Sequence, residues 1–169
     1  MSVHKHIAKK MINEINGYGL FVVGGEIKKG DLLIIDEGKI IDSGQYFDLA
    51  DKYKNLTYQI EDNKLLIPKN LDKVSDEWFV NHSCEPNTIL KNGKWFAKHD
   101  LKIGDEITHD YVLLWANNIE SFEIDPCLCK SKKCRGKFSG DDWKITELQI
   151  KYKGQFLPYM LKKIKLLSK

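Results

Sequence analysis

Short apolar runs separated by turns fill the first two-thirds of the chain. Each run is apolar or β-branched and has the length of a strand. The runs lie at residues 20–23, 32–35, 57–60, 65–67, 88–90, 95–97 and 106–108. Asn92-Gly93 stands between two of them, and this dipeptide favours the two-residue turn of a β-hairpin. The pattern predicts a mainly β fold.

Helical spacing of apolar side chains interrupts these strands once. Between residues 43 and 54, one face of a helix would carry Tyr46, Leu49, Ala50 and Tyr53. We therefore expect a single short helix here.

The pattern changes again after Gly140. Asp141 or Asp142 is placed to cap a short helix, and Pro158 suits the first turn of a second one. The second helix would have lysines around most of its surface and one apolar face, formed by Tyr159, Met160, Ile164 and Leu167. We expect this face to pack on the body of the same chain, although a second copy is an alternative, so both a monomer and a homodimer stay open.

Charge is unevenly distributed along the 169 residues, which carry a net charge of +3. Residues 1–126 have 15 basic and 21 acidic side chains, whereas residues 127–169 have 12 basic and 3 acidic ones. The acidic body suits a basic peptide substrate, and the basic tail suits contact with nucleic acid. A lysine-rich helix face that only meets solvent gives the same pattern, so charge alone does not identify the partner.

Length and hydropathy bound the class of protein. A chain of this length predicts one domain, or one domain with a short appendage. Its longest apolar run, residues 111–116, is too short to cross a bilayer, and the first residues lack the apolar core of a secretion signal. We expect no membrane partner and a reducing, intracellular compartment: the cytoplasm, or a nucleus if the protein is eukaryotic or acts on host chromatin. In such a compartment, cysteines are thiols or metal ligands more often than disulfides.

Three of the four cysteines cluster in a segment that has little apolar content. Cys127, Cys129 and Cys134 have the spacing C-x-C-x4-C, and such a segment cannot fold by burial alone. Zinc binding would supply local folding energy, and four thiolates suit its tetrahedral geometry. Cys84 is the remaining cysteine and would complete one structural zinc site. Free thiols stay an alternative, as does an iron–sulfur cluster, although the spacing does not match the common ferredoxin runs.

Cys84 lies in the string NHSCEPN at residues 81–87, which resembles the central motif of SET-domain protein-lysine methyltransferases. Further segments resemble that family in the family's order: GYGLF at 17–21, GDEITHDY at 104–111, and CLC at 127–129 with CRG at 134–136. The resemblance covers about residues 12–140. The rest is similar to the tail of small stand-alone microbial members.

The resemblance implies a fold of small curled sheets around a threaded pseudoknot, with a short helix and a helical C-terminal tail. It divides the chain into a SET domain at 1–125, with a variable insert at about 42–77, a post-SET zinc segment at 126–140 and the basic tail at 141–169. In the family, the post-SET cysteines bind zinc together with the cysteine of the central motif. That ligand set is Cys84, Cys127, Cys129 and Cys134.

The resemblance also implies that S-adenosylmethionine is the cofactor and that a lysine of a protein substrate receives its methyl group. The residues that match the family's cofactor-binding positions are Gly17, Tyr18, Gly19, Asn81, His82 and Tyr111. Glycines suit this role because a ligand pressed against the backbone needs positions without a Cβ.

Three residues match the family's catalytic positions. Tyr111 matches the last tyrosine of GDEITHDY, and its hydroxyl would orient the amine and place partial negative charge near the sulfonium methyl. Tyr58 resembles a tyrosine of the lysine channel, although an ordinary strand aromatic is the alternative. His109 stands where the family has Phe or Tyr, so the number of methyl groups transferred is not predicted. Trp78 is a second departure, at a position where many members have arginine.

Two other classes of protein remain open at this point. One is a catalytically silent SET-like module that binds a peptide, and the other is a zinc-stabilised nucleic-acid binder that uses the basic tail. Binding of S-adenosylmethionine in solution favours the enzyme over the silent module, whereas strongly salt-dependent DNA binding favours the nucleic-acid binder.

Overall fold

A computed structural model describes residues 2–14 and 17–167. Within these ranges the chain forms small sheets that are joined by turns and a few short helices. The strands are β1 (Ile7–Asn13), β2 (Gly17–Val22), β3 (Leu32–Ile35), β4 (Gly38–Asp42), β5 (Tyr58–Glu61), β6 (Lys64–Pro68), β7 (Asn81–His82), β8 (Thr88–Lys91), β9 (Lys94–Ala97), β10 (Glu106–His109), β11 (Glu123–Ile124) and β12 (Phe138–Ser139). The prediction of a mainly β fold is confirmed.

The sheet that matters most for the site has the strand order β1-β2-β10-β7. β10 pairs antiparallel with β2 and parallel with β7. The parallel register places Thr108 opposite Asn81 and His109 opposite His82. The NHSC and GDEITHDY segments, which lie far apart in sequence, are therefore adjacent in the fold.

The other sheets have the orders β3-β9-β8, β4-β6-β5 and β11-β12. β8 and β9 form the predicted hairpin, and its turn residues Asn92 and Gly93 have φ of 52° and 69°. Positive φ at both central positions is the requirement of a type I′ turn, which explains the Asn-Gly pair. β3 pairs with β9, so the hairpin is anchored to the early part of the chain.

The single helix expected between residues 43 and 54 is wrong. The structure has two short helices there, α1 (Ser43–Phe47) and α2 (Asp51–Lys54). The break occurs because Ala50 has extended backbone angles, φ −60° and ψ 141°, and it becomes the residue that caps α2. Of the four expected helical positions, only Tyr46 is buried, so the apolar spacing alone did not show the break.

The tail forms α3 (Thr146–Lys151) and α4 (Pro158–Leu167), and α4 begins at the expected proline. Asp141 is the N-cap residue of a three-residue 3-10 helix, Asp142–Lys144, but its side chain makes no capping hydrogen bond, and α3 starts only after Ile145. In α4, Tyr159 and Met160 are buried, whereas Leu167 is 56% exposed because it lies at the last turn of the helix.

The tail packs on the body of the same chain, as expected. Its side chains Trp143, Leu148, Tyr152, Phe156, Tyr159 and Met160 belong to the same core as the strands. Fully burying a large apolar side chain stabilises a fold by about 1.5–3 kcal/mol, so these contacts hold the tail firmly. No helix in the described ranges is long and apolar enough to cross a membrane.

Candidate active site

Two clefts meet at one side chain, Tyr111. The first, called here the aromatic cleft, has a volume of about 690 Å³ and is lined mainly by rings together with Asp36, Glu77 and His109. Its aromatic residues are Tyr46, Tyr58, Trp78, Tyr111, Trp115 and Phe122. The second, called the motif cleft, has a volume of about 910 Å³ and is lined by Ile12, Asn81, His82, Glu106, Thr108, Tyr111, Ile124 and residues 126–130.

The parallel pairing of β7 with β10 builds one wall of the motif cleft. Asn81 donates from Nδ2 to Glu106 Oε1 at 2.8 Å and to the carbonyl of Tyr18 at 3.0 Å. Gly19 lies directly behind this pair. A Cβ at Gly19 would lie 2.7 Å from Glu106 Oε1 and 2.9 Å from Asn81 Nδ2, closer than real contacts allow.

The GYG segment therefore supports the wall of the motif cleft from behind. Gly17 has φ of 63°, a left-handed backbone conformation that favours glycine. Among the residues that the structure describes, Gly17, Tyr18 and Gly19 do not line the cleft themselves. Glu106 was not among the residues expected from sequence, although it belongs to the same GDEITHDY string.

His82 is largely buried in the wall of the motif cleft and is neutral at physiological pH. Burial lowers its pKa to about 4. Its Nδ1 accepts from the backbone N–H of Tyr111 at 3.3 Å, and its Nε2 lies 3.4 Å from Cys84 Sγ. The imidazole thus links the cysteine cluster to the backbone of Tyr111.

Tyr111 is half-buried, and its hydroxyl donates to the carbonyl of Val80 at 2.8 Å. Burial raises its pKa well above the ordinary value, so the phenol stays protonated at neutral pH. Since the Tyr111 hydroxyl donates its single proton to the carbonyl of Val80, the lone pairs of the hydroxyl oxygen remain available to accept from another donor. The ring is fixed by edge contacts with His82 and Phe138, at centroid distances of 5.2 and 6.0 Å.

Tyr58 lines the aromatic cleft and shares a hydrogen bond with Asp36. Burial and the nearby carboxyl raise the pKa of Tyr58, so it is the donor. Trp95 donates from Nε1 to Asp36 Oδ2 at 2.6 Å. Burial raises the pKa of Asp36 to about 6, against the lowering effect of these two hydrogen bonds. The sequence analysis missed Asp36. The sequence feature that could have indicated it is its position as an acidic residue directly after the apolar run at 32–35.

His109 lies on the wall of the aromatic cleft, stacked on Trp95 at a centroid distance of 3.4 Å. Thr88 Oγ1 donates to the carbonyl of Thr108, so it accepts from His109 Nδ1 at 2.8 Å. Nε2 is then an acceptor, and it is buried without a hydrogen-bond partner in residues 2–14 and 17–167. Burial lowers the pKa of His109 to about 3, so the ring is uncharged.

The four cysteines come together as expected from their spacing. The Sγ atoms of Cys84, Cys127, Cys129 and Cys134 all lie within 4.8 Å of one another, and those of Cys84 and Cys127 are 3.9 Å apart. Tetrahedral zinc with Zn–S bonds of about 2.3 Å requires sulfur atoms about 3.8 Å apart. Backbone N–H groups of Arg135 and Gly136 point at Cys84 and Cys134 at 3.4 Å, which suits thiolates. The residues present therefore fit one zinc ion.

Asp110 joins the cysteine segment and the tail to the site. Its carboxylate is fully buried and accepts two hydrogen bonds from Arg135, at 2.8 and 2.9 Å, and one from the hydroxyl of Tyr152 at 2.7 Å. Burial alone would raise the pKa of Asp110, but the contacts with Arg135 lower it, so it is ionised. Because Asp110 precedes Tyr111, this network fixes the chain where the clefts meet.

Strands that set NHSC beside GDEITHDY, a cluster of four cysteines and two clefts that share one tyrosine together define a SET-type fold. The model of the SET domain family matches residues 17–112. The chain belongs to the SET-domain family.

Known relatives are similar over most of this chain. It is 32% identical over 140 residues to the histone-lysine N-methyltransferase set1 of Dictyostelium discoideum and 30% identical over 144 residues to ASHH2 of Arabidopsis thaliana. A variant-silencing SET domain-containing protein of Plasmodium falciparum is 30% identical over 162 residues. These matches cover 73%, 74% and 81% of this chain but only 9%, 8% and 6% of the respective relatives.

Proposed function

We propose that this protein is a lysine N-methyltransferase that moves a methyl group from S-adenosylmethionine to the side-chain amine of a lysine in a protein substrate. The observation that carries the proposal is the position of Tyr111, which lines both clefts. A two-substrate transfer needs two sites that meet at one point, because an in-line displacement depends on alignment of the reacting atoms. Membership of the SET family supports the same reaction.

The motif cleft fits the cofactor. Gly19 leaves room for Asn81 and Glu106 in its wall, and these side chains offer an amide and a carboxylate to a ligand that carries an amino group and a sulfonium. We propose that Asn81, His82 and Tyr111 surround the cofactor, with Gly17, Tyr18 and Gly19 behind them. When bound, S-adenosylmethionine supplies an activated methyl group.

The aromatic cleft fits the lysine. Its rings provide an apolar passage for the four methylene groups, and apolar surroundings lower the pKa of an amine by disfavouring its charged form. The Tyr111 hydroxyl, whose own proton is held by Val80, can accept an N–H of the amine and direct the nitrogen lone pair. Tyr58 and His109 line the same cleft and are proposed to complete the polar surroundings of the amine.

One zinc ion bound by Cys84, Cys127, Cys129 and Cys134 is proposed to be structural. It would hold residues 126–130, which form one wall of the motif cleft, against the bend after β7 that contains Cys84. The ion would then support cofactor binding without taking part in the transfer.

The substrate is proposed to be a basic protein, in line with relatives that are named histone-lysine N-methyltransferases. The acidic balance of residues 1–126 supports a basic partner. A histone substrate would place the protein in a nucleus, its own or that of a host.

Calorimetric titration with S-adenosylmethionine, followed by transfer of a labelled methyl group to core histones, tests the proposal. Mass spectrometry of the product should place the label on lysine. A protein that binds the cofactor but labels no lysine, in histones or in a basic cell extract, would be the silent peptide-binding module.

A further inference from the structure

Asp36 is a carboxylate on the wall of the aromatic cleft that the family resemblance does not explain. It follows β3 directly, and its side chain is held by donors from β9 and β5, Trp95 and Tyr58. A carboxylate offers about four acceptor positions, so these two hydrogen bonds leave positions open. Because Asp36 lines the cleft, a ligand in the cleft can reach them.

No cation of the chain neutralises Asp36 within residues 2–14 and 17–167. Lys54 also lines the aromatic cleft, but its Nζ atom lies 3.1 Å from Asp51 Oδ1 and 5.7 Å from the centroid of the Tyr46 ring. The other carboxylate of the cleft, Glu77, accepts from the hydroxyls of Ser2 and Ser75 at 2.8 and 2.7 Å. A carboxylate without a counter-ion inside a protein is destabilising, which suggests that its partner arrives with a ligand.

The rings around Asp36 also suit a cation. Tyr58 and Trp78 lie 5.6 Å apart between centroids and both line the cleft. Aromatic faces attract ammonium groups, and the attraction between opposite charges grows as water is excluded.

We propose that Asp36 is the counter-ion that receives the ε-ammonium group of the substrate lysine in the aromatic cleft. This inference rests on the proposed function, since it concerns how that substrate is bound. The contact is an ion pair that forms as the ammonium group enters the cleft, and the ammonium then loses one proton to solvent water before its nitrogen attacks the methyl group of the cofactor. Asp36 therefore governs the affinity for the substrate more than the rate of the methyl-transfer step.

Binding of a lysine side-chain mimic tests the inference without any methyl transfer. The probe is n-butylammonium chloride, with 1-butanol and sodium chloride as controls for the alkyl chain and for ionic strength. The reporter is the indole N–H signal of Trp95 in a ¹H–¹⁵N spectrum, since that N–H bonds Asp36 directly. The signals of the four tryptophans are assigned with single Trp→Phe variants.

We expect a saturable shift of the Trp95 signal with n-butylammonium in the wild type, little shift with 1-butanol, and at least tenfold weaker binding in Asp36→Asn. Asn keeps the shape and one acceptor oxygen, so the fold should persist. Glu77→Gln is the matched control because it neutralises another carboxylate of the same cleft, and its binding should change less than threefold.

Kinetics with core histones supplies a second readout. Asp36→Asn should raise the apparent KM at least tenfold while kcat changes less than about threefold. A wild type that does not bind n-butylammonium, or an Asp36→Asn variant that binds it equally well, overturns the inference whatever the transfer assay shows. Absence of methyl transfer together with Asp36-dependent binding contradicts the proposed function instead and leaves Asp36 as a cation site.

Discussion

The motif cleft and the aromatic cleft meet at Tyr111 but are assembled in different ways. The motif cleft is built from two paired strands and the cysteine segment, and its polar groups come from the strings NHSCEPN and GDEITHDY. The aromatic cleft takes single side chains from β5, from the ends of β3 and β10, from α1 and α2, and from the segments between these elements. The polar residues of the motif cleft lie in two sequence motifs, whereas many residues of the aromatic cleft come from separate segments that only folding brings together.

Under the proposed function, the two clefts have different tasks: the motif cleft binds the cofactor and the aromatic cleft binds the substrate lysine. Asp36 and His109 belong to the second cleft. The following experiments separate the two clefts, starting with the residue that they share.

Tyr111→Phe should have the largest effect on catalysis. It removes one hydroxyl and keeps the ring contacts with His82 and Phe138. Labelled methyl transfer should fall by about 100-fold or more, because the amine loses the group that orients it. The dissociation constant for S-adenosylmethionine, measured by calorimetry, should change less than about threefold. Near-normal transfer would remove Tyr111 from its central role.

Cys134→Ser should disturb the motif cleft and spare the aromatic cleft. We expect zinc content to fall from about one equivalent per chain to nearly none, and cofactor affinity to fall by about 100-fold as residues 126–130 lose their support. The n-butylammonium response of Trp95 should remain. Ser131→Ala is the control, since Ser131 lies beside Cys129 without being a ligand. A zinc-free protein with unchanged cofactor affinity would contradict the structural role of the metal.

Asp36→Asn should change how stability depends on pH. The folded-state pKa of Asp36 is about 6, above the ordinary value of 3.8, so between about pH 4 and 6 the folded state binds more protons than the unfolded state. Wild-type stability should therefore fall as pH rises through this window. The free energy of unfolding of the variant, relative to that of the wild type, should be about 2–3 kcal/mol larger at pH 7.5 than at pH 4, which means that the variant is relatively more stable at the higher pH. Urea unfolding at both pH values measures it, and a pH-independent difference would show that Asp36 ionises normally.

Gly19→Ala should weaken cofactor binding by about tenfold and leave the aromatic cleft unchanged. The new methyl group would displace Asn81 and Glu106, which lie within 3 Å of its position. Gly44→Ala is the matched control, because a Cβ there meets nothing within 4 Å. Equal cofactor affinity in the two variants would show that Asn81 and Glu106 do not form the binding wall.

Sequence alone anticipated Asn81, His82, Tyr111 and the cysteines of the motif cleft, and Tyr58 and His109 of the aromatic cleft, but not the carboxylates of the aromatic cleft. The hairpin at Asn92-Gly93 and the strand at 32–35 followed from local pattern, and the cysteine cluster followed from spacing. Asp36, Glu77 and Trp95 were missed as site residues, because each is an ordinary member of its own segment and only tertiary contacts bring them together. The break between α1 and α2 was missed for a related reason, since apolar spacing does not report backbone angles at Ala50.

The convergence of the two clefts at Tyr111 is tested most directly by a linked ligand. The molecule is an S-adenosylmethionine analogue in which a nitrogen replaces the sulfonium and the methyl group is extended to a 2-(butylamino)ethyl chain, so that its amine and alkyl chain follow the transfer position in the same order as those of a substrate lysine. If the clefts meet, its two ends fill both at once, and it should bind at least tenfold tighter than the analogue that carries only a methyl group. It should also shift the Trp95 indole signal. In the Asp36→Asn variant, the linked analogue should bind no more tightly than the analogue that carries only a methyl group. Equal affinity for the two analogues, with no shift at Trp95, would contradict a continuous site.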